Sequence, residues 1–407
     1  MLAHGRVLEV LLGSWYPDRA WVNQEWLVGL ATAWAQAHGI YLLMELLYGA
    51  SLICGLAFVA SETLRTRMHP LVGCVALAVT GIGAVFFGQD RAQTLVWALF
   101  PALILAWRRT PWLAVPICAL WANIHGSFPI AVLWMLLHLD RPRIPAFIVS
   151  ALATLANPLG WNLWAFSFTL AGNSHLGGYV NEWVPAFRDP TGIMLALLAL
   201  APLWMLLFSA RLRRPLRVGD LAWTTIAALM TVAATRYVLL LLLTTTTALG
   251  NAFEPRTLQL SKLWTRVAAA FFSLLIIGLG VRAFRVAPIV ADPLFAGVQR
   301  GSDFTACAPL VTGKRVFVDN LGTGSRVELA GGAANIDGRV DAFPAAALHE
   351  SFDVLTAAHD AASIVATSGA ALLALDGRFS PSPGKWKLTA RCGAIRLYAA
   401  ASSSRKS

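Results

Sequence analysis

Charge is what this 407-residue sequence has least of. Only 13% of its residues are charged, with 21 acidic side chains against 32 Lys and Arg, while 57% are hydrophobic and the mean hydropathy is +0.63. That poverty of charge excludes an ordinary soluble core, which needs far less Leu and Ala than this chain carries. Cysteine is scarce as well. Cys54, Cys74 and Cys118 stand singly in apolar runs without ligand spacing, so they read as small hydrophobes and no metal site is expected. No Walker motif, zinc motif or dinucleotide fingerprint falls where a strand and a helix would support it, no long internal repeat is visible, and no cofactor is expected. The formal charge of +11 would suggest nucleic acid in a soluble protein. Here most of the Arg sits in short loops between apolar runs, so no nucleic-acid partner is expected and the Arg is a topology signal.

What is present is a succession of apolar segments, at 40–60, 71–87, 94–106, 112–122, 129–139, 147–171, 192–209, 220–234, 237–250 and 267–283. Several are short for about 30 Å of hydrocarbon, which tilted or broken helices around a cavity would explain. The expected fold class is therefore an α-helical polytopic membrane protein of about ten spans, some broken, with a small C-terminal α/β extracytoplasmic domain. The expected division is an interfacial or outer N-terminal segment at 1–39, a multi-span transmembrane domain at 40–284, the α/β domain at 285–401 and a disordered tail at 402–407. Arg65, Arg108, Arg141, the basic cluster at 211–217 and Lys262 then face the cytoplasm of an inner (cytoplasmic) membrane, and the C-terminal domain is exported. The polar candidates Glu25, Asp90, Arg91, His125, Glu182 and Arg236 all fall on the opposite, outer side.

The stretch WANIHGSFPI (121–130) stands out, because two apolar segments meet there at a polar kink. Asn123 and His125 are costly to bury in lipid, and Gly126 and Pro129 interrupt a helix, so this backbone should border protein or water. It reads as the floor of an aqueous pocket, with Asn157 and Trp183 as further lining. The alternative is that Asn123 and His125 merely satisfy the backbone groups of two half-helices.

Composition changes from about Arg285, where charges return and apolar runs shorten. Strands are expected at 315–319, 363–368, 385–390 and 395–399, and helices at 345–358 and 369–375. Cys307 and Cys392 both lie in this exported region, where an oxidising compartment would allow a bridge, although nothing in the sequence fixes their separation.

A series of motifs runs along nearly the whole chain: WVNQEWL (21–27), DRAQ (90–93), WANIHGSF (121–128), ANPLGWNLW (156–164), VNEW (180–183), TRY (235–237), and RVFVDN with IDGRVDAF near the C-terminus. The series resembles a group of bacterial polytopic proteins related to the GT-C glycosyltransferases. The resemblance implies transfer of a sugar from a polyprenyl-phosphate donor to an envelope acceptor on the extracytoplasmic face, by an inverting mechanism with an acidic side chain of the first outer loop as base. Membrane lipids and a polyprenyl-phosphate-linked sugar are the partners it implies, with the oligomeric state open.

The chemistry explains the residue types, since a base must reach the acceptor hydroxyl and cationic or polar donors must steady the departing phosphate. Glu25 and Glu182 are the carboxylates best placed for a base or acceptor role. Arg236, with its bidentate donors, suits the donor phosphate, with Arg91 and His125 next, unless Arg236 only snorkels to the interface. Trp26 and Trp183 stack on sugars or belt the membrane interface. The start of the chain departs from the group, whose members have an extra span and an Asp near a DPFS-like stretch; the equivalent region here reads VLLGSWYPDRAW (10–21), with Leu11 or Leu12 at that Asp position. Either the base is Glu25 or Asp18, or this chain is a non-catalytic relative that serves as an assembly partner or transport component of envelope polysaccharide export.

Overall fold

A computed structural model describes residues 11, 13–65, 70–87, 91–171, 217–234 and 304–401, with shorter pieces at 210–212, 237, 240–241, 243–244 and 253–255. It divides into two compact units, one formed mainly by residues 3–23 and 289–407 and the other by residues 24–288.

The helical unit begins with α1 (Trp26–Ala37), α2 (Leu42–Arg65), α3 (Pro70–Phe87) and α4 (Val96–Arg109). It continues with α5 (Ala114–Ile124), α6 (Pro129–Leu137), α7 (Ile144–Ala153) and α8 (Trp161–Ala171). A short strand β1 (Ala210–Leu212) pairs antiparallel with β2 (Phe253–Pro255), and α9 (Val218–Ala233) lies between them in the chain.

These lengths correct the expected polytopic fold of about ten spans. Among the described residues one helix, α2 with 24 residues, is long and apolar enough to cross a membrane. The segments expected to span at 94–106, 112–122 and 129–139 are helices of 14, 11 and 9 residues. At 1.5 Å per residue such helices measure roughly 13–21 Å, well short of about 30 Å of hydrocarbon. The segment expected to rise over 147–171 with an interruption at Asn157-Pro158-Leu159-Gly160 is two helices, α7 and α8, separated by a turn at that place. Proline accounts for the break, because Pro158 lacks an N–H and disfavours helix at Asn157. The Asn157 side chain then closes the turn, accepting from Leu159 N at 2.8 Å and donating to Thr154 O at 2.7 Å. The expected segments 192–209 and 267–283 lie outside the described residues.

An aromatic hub organises the helical unit. Phe100 on α4 meets Trp121 on α5, Trp134 on α6 and Trp223 on α9, each edge to face, at centroid distances of 5.7, 6.1 and 5.6 Å. Such pairs contribute about 0.5–1.5 kcal/mol each beyond their burial. The α2–α4 crossing is close because Gly55 has no side chain; a Cβ there would stand 2.5 Å from Trp97 Cε3. The same crossing is pinned by the buried Glu62 carboxylate, which Arg65 and Arg108 reach at 2.7 and 2.9 Å. His138 on α6 faces Asp220 on α9 at 3.0 Å.

The other unit is a five-stranded mixed sheet with helices. In chain order it runs α10 (Phe304–Val311), β3 (Arg315–Val318), α11 (Leu321–Leu329), β4 (Ala333–Ala334), α12 (Ala345–Thr356), α13 (Ala361–Thr367), β5 (Leu372–Leu375), β6 (Trp386–Cys392) and β7 (Ile395–Ala400). The sheet order is β4-β3-β5-β7-β6; β3 runs parallel to β4 and β5, and the β6–β7 hairpin closes antiparallel onto β5. Strand expectations at 315–319, 385–390 and 395–399 match β3, β6 and β7, and the helix expected at 345–358 is α12. The two short apolar runs between them are reversed: 363–368 lies in α13 and its end, and 369–375 ends in β5, whose four residues are all buried. Short apolar runs carry too little periodicity to separate the two states.

β4 is only two residues long, and a side chain does the rest of its pairing. Asn335 accepts from Val318 N at 2.7 Å and donates to Val318 O at 3.3 Å, as the next residue of a strand would, and Ser351 donates to the same carbonyl at 2.9 Å. The chain start completes this edge. Ser14 bridges to Ala334 in parallel, Trp15 N donates to Ala334 O and Trp15 Nε1 to Ala333 O, both at 2.8 Å, and Arg315 lies 4.0 Å over the Trp15 ring.

Cys307 on α10 is disulfide-bonded to Cys392 at the end of β6, with their Cα atoms 6.3 Å apart and a separation of 85 positions in sequence. Closing a loop of that length restricts the unfolded chain, and loss of such a bond costs about 2–5 kcal/mol. Cys392→Ser should therefore lower the denaturation midpoint of the full chain by that amount and abolish the mobility shift seen on reduction. Complete thiol labelling of both residues in unreduced protein would rule the bond out.

Candidate functional site

The expected kink at 121–130 is real and it is built locally. α5 stops at Ile124, His125 has extended backbone (φ −156°, ψ 138°), and α6 restarts with Pro129 in its first turn. Between them Ser127 N donates to His125 Nδ1 at 3.1 Å, and Ser127 Oγ lies 2.8 Å from the same nitrogen. Trp121 Nε1 donates to Ser127 Oγ at 3.1 Å, which ties the turn to the aromatic hub.

Three consecutive residues ahead of α1 and at its start dock onto this turn. Glu25 Oε1 stands 3.4 Å from His125 Nε2; the imidazole is buried while the Glu25 side chain is 42% exposed. Trp26 Nε1 donates to Asn123 Oδ1 at 3.0 Å. Gln24 lies over Gly126 so closely that a Cβ on Gly126 would stand 1.9 Å from Gln24 Oε1. A side chain at 126 would have to move the end of the Gln24 side chain, while the Gly126 backbone needs no left-handed conformation.

The turn forms one side of an open cavity. Gln24, Gln93, His125, Gly126, Ser127 and Ser167 supply polar groups, Val96, Trp97, Ile130, Leu170, Leu240 and Leu243 supply apolar surface, and Tyr237 completes the lining. Ser167 on α8 donates to Gly126 O at 2.9 Å and so holds the turn from the far side. A concave site with a few convergent polar groups on an apolar background is the usual form of a small-molecule site.

The structure brings Glu25 and His125 into contact. Asn123 and Asn157, expected as lining, are not among the residues that line this cavity and bond to backbone: Asn123 Nδ2 donates to Ala119 O at 2.7 Å and Ala156 O at 2.8 Å, while Asn157 closes its own turn. Arg91 is exposed at the start of the 3-10 turn Ala92–Leu95 that carries Gln93 into the lining. Asp18 is exposed and belongs to the other unit. Glu182, Trp183, Arg236 and Asp90 lie outside the described residues. Sequence reasoning missed Gln24, Gln93 and Ser127 as site residues. A hydroxyl two residues after His125, in a turn broken by Gly126, was the available signal for Ser127. Among the described residues, no three His, Cys, Asp or Glu are grouped as a metal site.

A second polar cluster lies in the sheet-containing unit. Arg339 is held between Asp337 and Glu328 and its guanidinium lies 5.4 Å over the Trp21 ring. One cation cannot neutralise several buried carboxylates, so protons are retained. Burial, with Asp337 beside it, pushes the Glu328 carboxyl up to about 9, and burial pushes Asp341 up to about 6, Asp337 adding to the rise and Arg339 opposing it. Burial also raises Asp319, although its carboxylate accepts from Asp376 N at 2.9 Å and Gly377 N at 2.8 Å. These groups hold the loops after β3, β4 and β5, so the cluster reads as structural.

Comparison of the chain with protein-family models, with curated proteins and with solved structures gives no match. The site is therefore read from its geometry.

Two outcomes follow. Gly126→Ala must displace the Gln24 amide and should cost about 1–3 kcal/mol, less in a Gln24→Ala background; equal costs in both would show that Gln24 does not constrain the turn. For Asp341, a raised folded-state value means that the folded chain holds the proton that the unfolded chain releases between its usual 3.8 and about 6. That contribution is complete below the lower value and is lost as pH rises through the upper one. Asp341→Asn should accordingly stabilise the protein by about 1–3 kcal/mol at pH 7.5 and by nothing near pH 3.5, as read from unfolding midpoints.

Proposed function

We propose that the cavity of the helical unit is a transferase site in which Glu25 is the base. In this reading the Glu25 carboxylate takes the proton from an acceptor hydroxyl as that oxygen forms a bond to the sugar's anomeric carbon. The bond from that carbon to the donor phosphate breaks with inversion, and the phosphate leaves with the electron pair. The observation that carries the reading is the Glu25–His125 contact: an accessible carboxylate is held by a buried imidazole that itself lines an open cavity.

The lining suits a donor with two characters, because the Gln and Ser groups can hydrogen-bond sugar hydroxyls while Leu170, Leu240 and Leu243 offer surface to an apolar chain. A polyprenyl-phosphate-linked sugar has both. The resemblance in the motifs at 21–27, 90–93, 121–128, 156–164 and 235–237 favours the same donor class, and by that resemblance Arg236 and Arg91 are assigned to the phosphate and Glu182 to the acceptor.

Placement in a bacterial cell-envelope membrane is supported by two features. The α2 helix exposes Leu42, Leu43, Leu46, Leu47, Ile53 and Leu64, an apolar surface that water does not favour. A disulfide in the sheet-containing unit suits an oxidising, extracytoplasmic compartment.

The test is transfer from a radiolabelled polyprenyl-phosphate sugar by the full chain in detergent. Glu25→Gln should lower kcat by about 10²–10⁴ with donor affinity preserved. Unchanged turnover would remove Glu25 as base. Donor binding without any turnover by the natural chain would leave the non-catalytic alternative, an assembly or transport component.

A further inference from the structure

We propose that one end of the helical unit, where α2, α4 and α6 finish and α7 and α9 start, binds the anionic headgroups of a phospholipid bilayer through Arg109, Arg141 and Arg217. Side-chain contacts fix which residues share this end. Glu62, in the last turn of α2, holds Arg65 at 2.7 Å and Arg108, in the last turn of α4, at 2.9 Å. Trp107 Nε1 donates to His138 O just past α6 at 3.2 Å, and the Arg143 guanidinium lies 5.9 Å over the Trp107 ring. His138 in turn faces Asp220, in the first turn of α9, at 3.0 Å. Gly219 is so close to α6 that a Cβ there would stand 2.1 Å from Leu137 O.

The carboxylates that these contacts bring to this end are taken up within the protein. Glu62 is buried between two Arg, Asp140 pairs with Arg143 at 2.7 Å, and Asp220 faces His138. Arg109, Arg141 and Arg217 are exposed, and among the described residues their guanidinium groups meet no carboxylate. The end therefore presents uncompensated positive charge.

Charge alone would be as well served by water. Each of these Arg, however, is followed within four residues by an exposed apolar side chain: Arg109 by Trp112 and Leu113, at 56% and 53% exposure, Arg141 by Ile144 at 42%, and Arg217 by Val218 at 83%. Water favours the cations and not their apolar neighbours, and a nucleic acid or an acidic protein surface would likewise use only the charges. A bilayer interface uses both. Lipid phosphates accept the forked donors of Arg, while Trp and aliphatic side chains settle at the boundary between headgroups and acyl chains.

The inference rests on the membrane placement of the proposed function and not on the transfer reaction. It is tested with the full chain in phosphatidylcholine vesicles that carry a small fraction of brominated phosphatidylglycerol or of brominated phosphatidylcholine. Quenching at Trp112 is read as the difference between the natural chain and Trp112→Phe. At low salt the brominated phosphatidylglycerol should be preferred at least about fivefold, the factor that one Arg near an anionic surface supplies, and high salt should shrink the preference toward unity. R109Q/R141Q/R217Q should lose the preference, and R109K/R141K/R217K, which keeps the charge, should retain most of it. Equal quenching by the two lipids in the natural chain, or a preference that survives R109Q/R141Q/R217Q, overturns the inference. A preference abolished by inorganic phosphate, at an ionic strength where chloride leaves it intact, overturns it too and assigns the Arg to a free anion. No quenching of Trp112 by either lipid would remove the membrane placement and this inference with it. Lipid preference in a chain without transfer would leave the inference standing and overturn the transferase reading alone.

Discussion

The docking of Gln24, Glu25 and Trp26 onto the turn at 123–127 is the contact on which the cavity depends. A helix that stops inside a protein leaves backbone carbonyls and N–H groups without helical partners, and those groups have to be met. Here side chains meet them or take their place: Asn123 reaches Ala119 O and Ala156 O, Ser167 reaches Gly126 O, and His125 receives the Ser127 N–H. Once the turn is fixed in this way it offers Asn123 Oδ1, His125 Nε2 and a bare Gly126 surface to the segment that precedes α1. The three residues that arrive are the three types that fit, an indole donor, a carboxylate and a flexible amide. The same residues thus end one helix, begin another and form one side of a cavity.

The sheet-containing unit solves a different problem with similar means. A two-residue β4 cannot satisfy the edge of β3, and Asn335 supplies the missing donor and acceptor from a side chain. Residues 14 and 15 then pair with β4, and the Trp15 ring packs on Phe317 at 6.1 Å while Arg315 covers its face. At the opposite side of the sheet the disulfide ties α10 to β6. The charged cluster around Arg339 fits this pattern, since its carboxylates outnumber the cation and it is buried where the 11–23 segment lies across the unit. Retained protons, as at Glu328 and Asp341, are how such an imbalance is accommodated.

How much of this was legible in the sequence follows from what each feature needs. His125, Asn123 and Glu25 could be picked out because a polar residue in an apolar run is expensive wherever it ends up. Gln24 could not, because it matters through its approach to Gly126, which only the folded turn creates, and Ser127 offered no more than a hydroxyl two residues after His125. The α12 helix and the β6–β7 hairpin were readable from periodicity and flanking turns, whereas β5, with the sequence LLAL, has helix-forming residues and becomes a strand because it is central in a sheet and buried throughout. The count of spans failed for a related reason. Hydropathy measures how apolar a segment is, but the length of a helix is set by where hydrogen bonding is interrupted; the breaks at Asn157-Pro158 and His125–Pro129 were legible in the sequence, yet the short helices beside them were still counted as spans.

That distinction bears on why the site lies where it does. A continuous helix has no free backbone groups at its middle and can present only side chains to a ligand. A broken one has caps, and the groups that cap it are polar, fixed in direction and supported by the packing of both halves. The α5–α6 break has such support on one side from Trp121, Phe100 and Trp134, whose edge-to-face contacts leave the turn little freedom. On the other side stands Glu25, an exposed carboxylate beside the His125 imidazole. A reacting group needs both conditions, a rigid foundation and an accessible tip, because misplacement of a base by an ångström costs more rate than its intrinsic basicity can recover. The interruption that shortens α5 and α6 is therefore the same feature that gives the cavity its polar groups, His125 and Ser127.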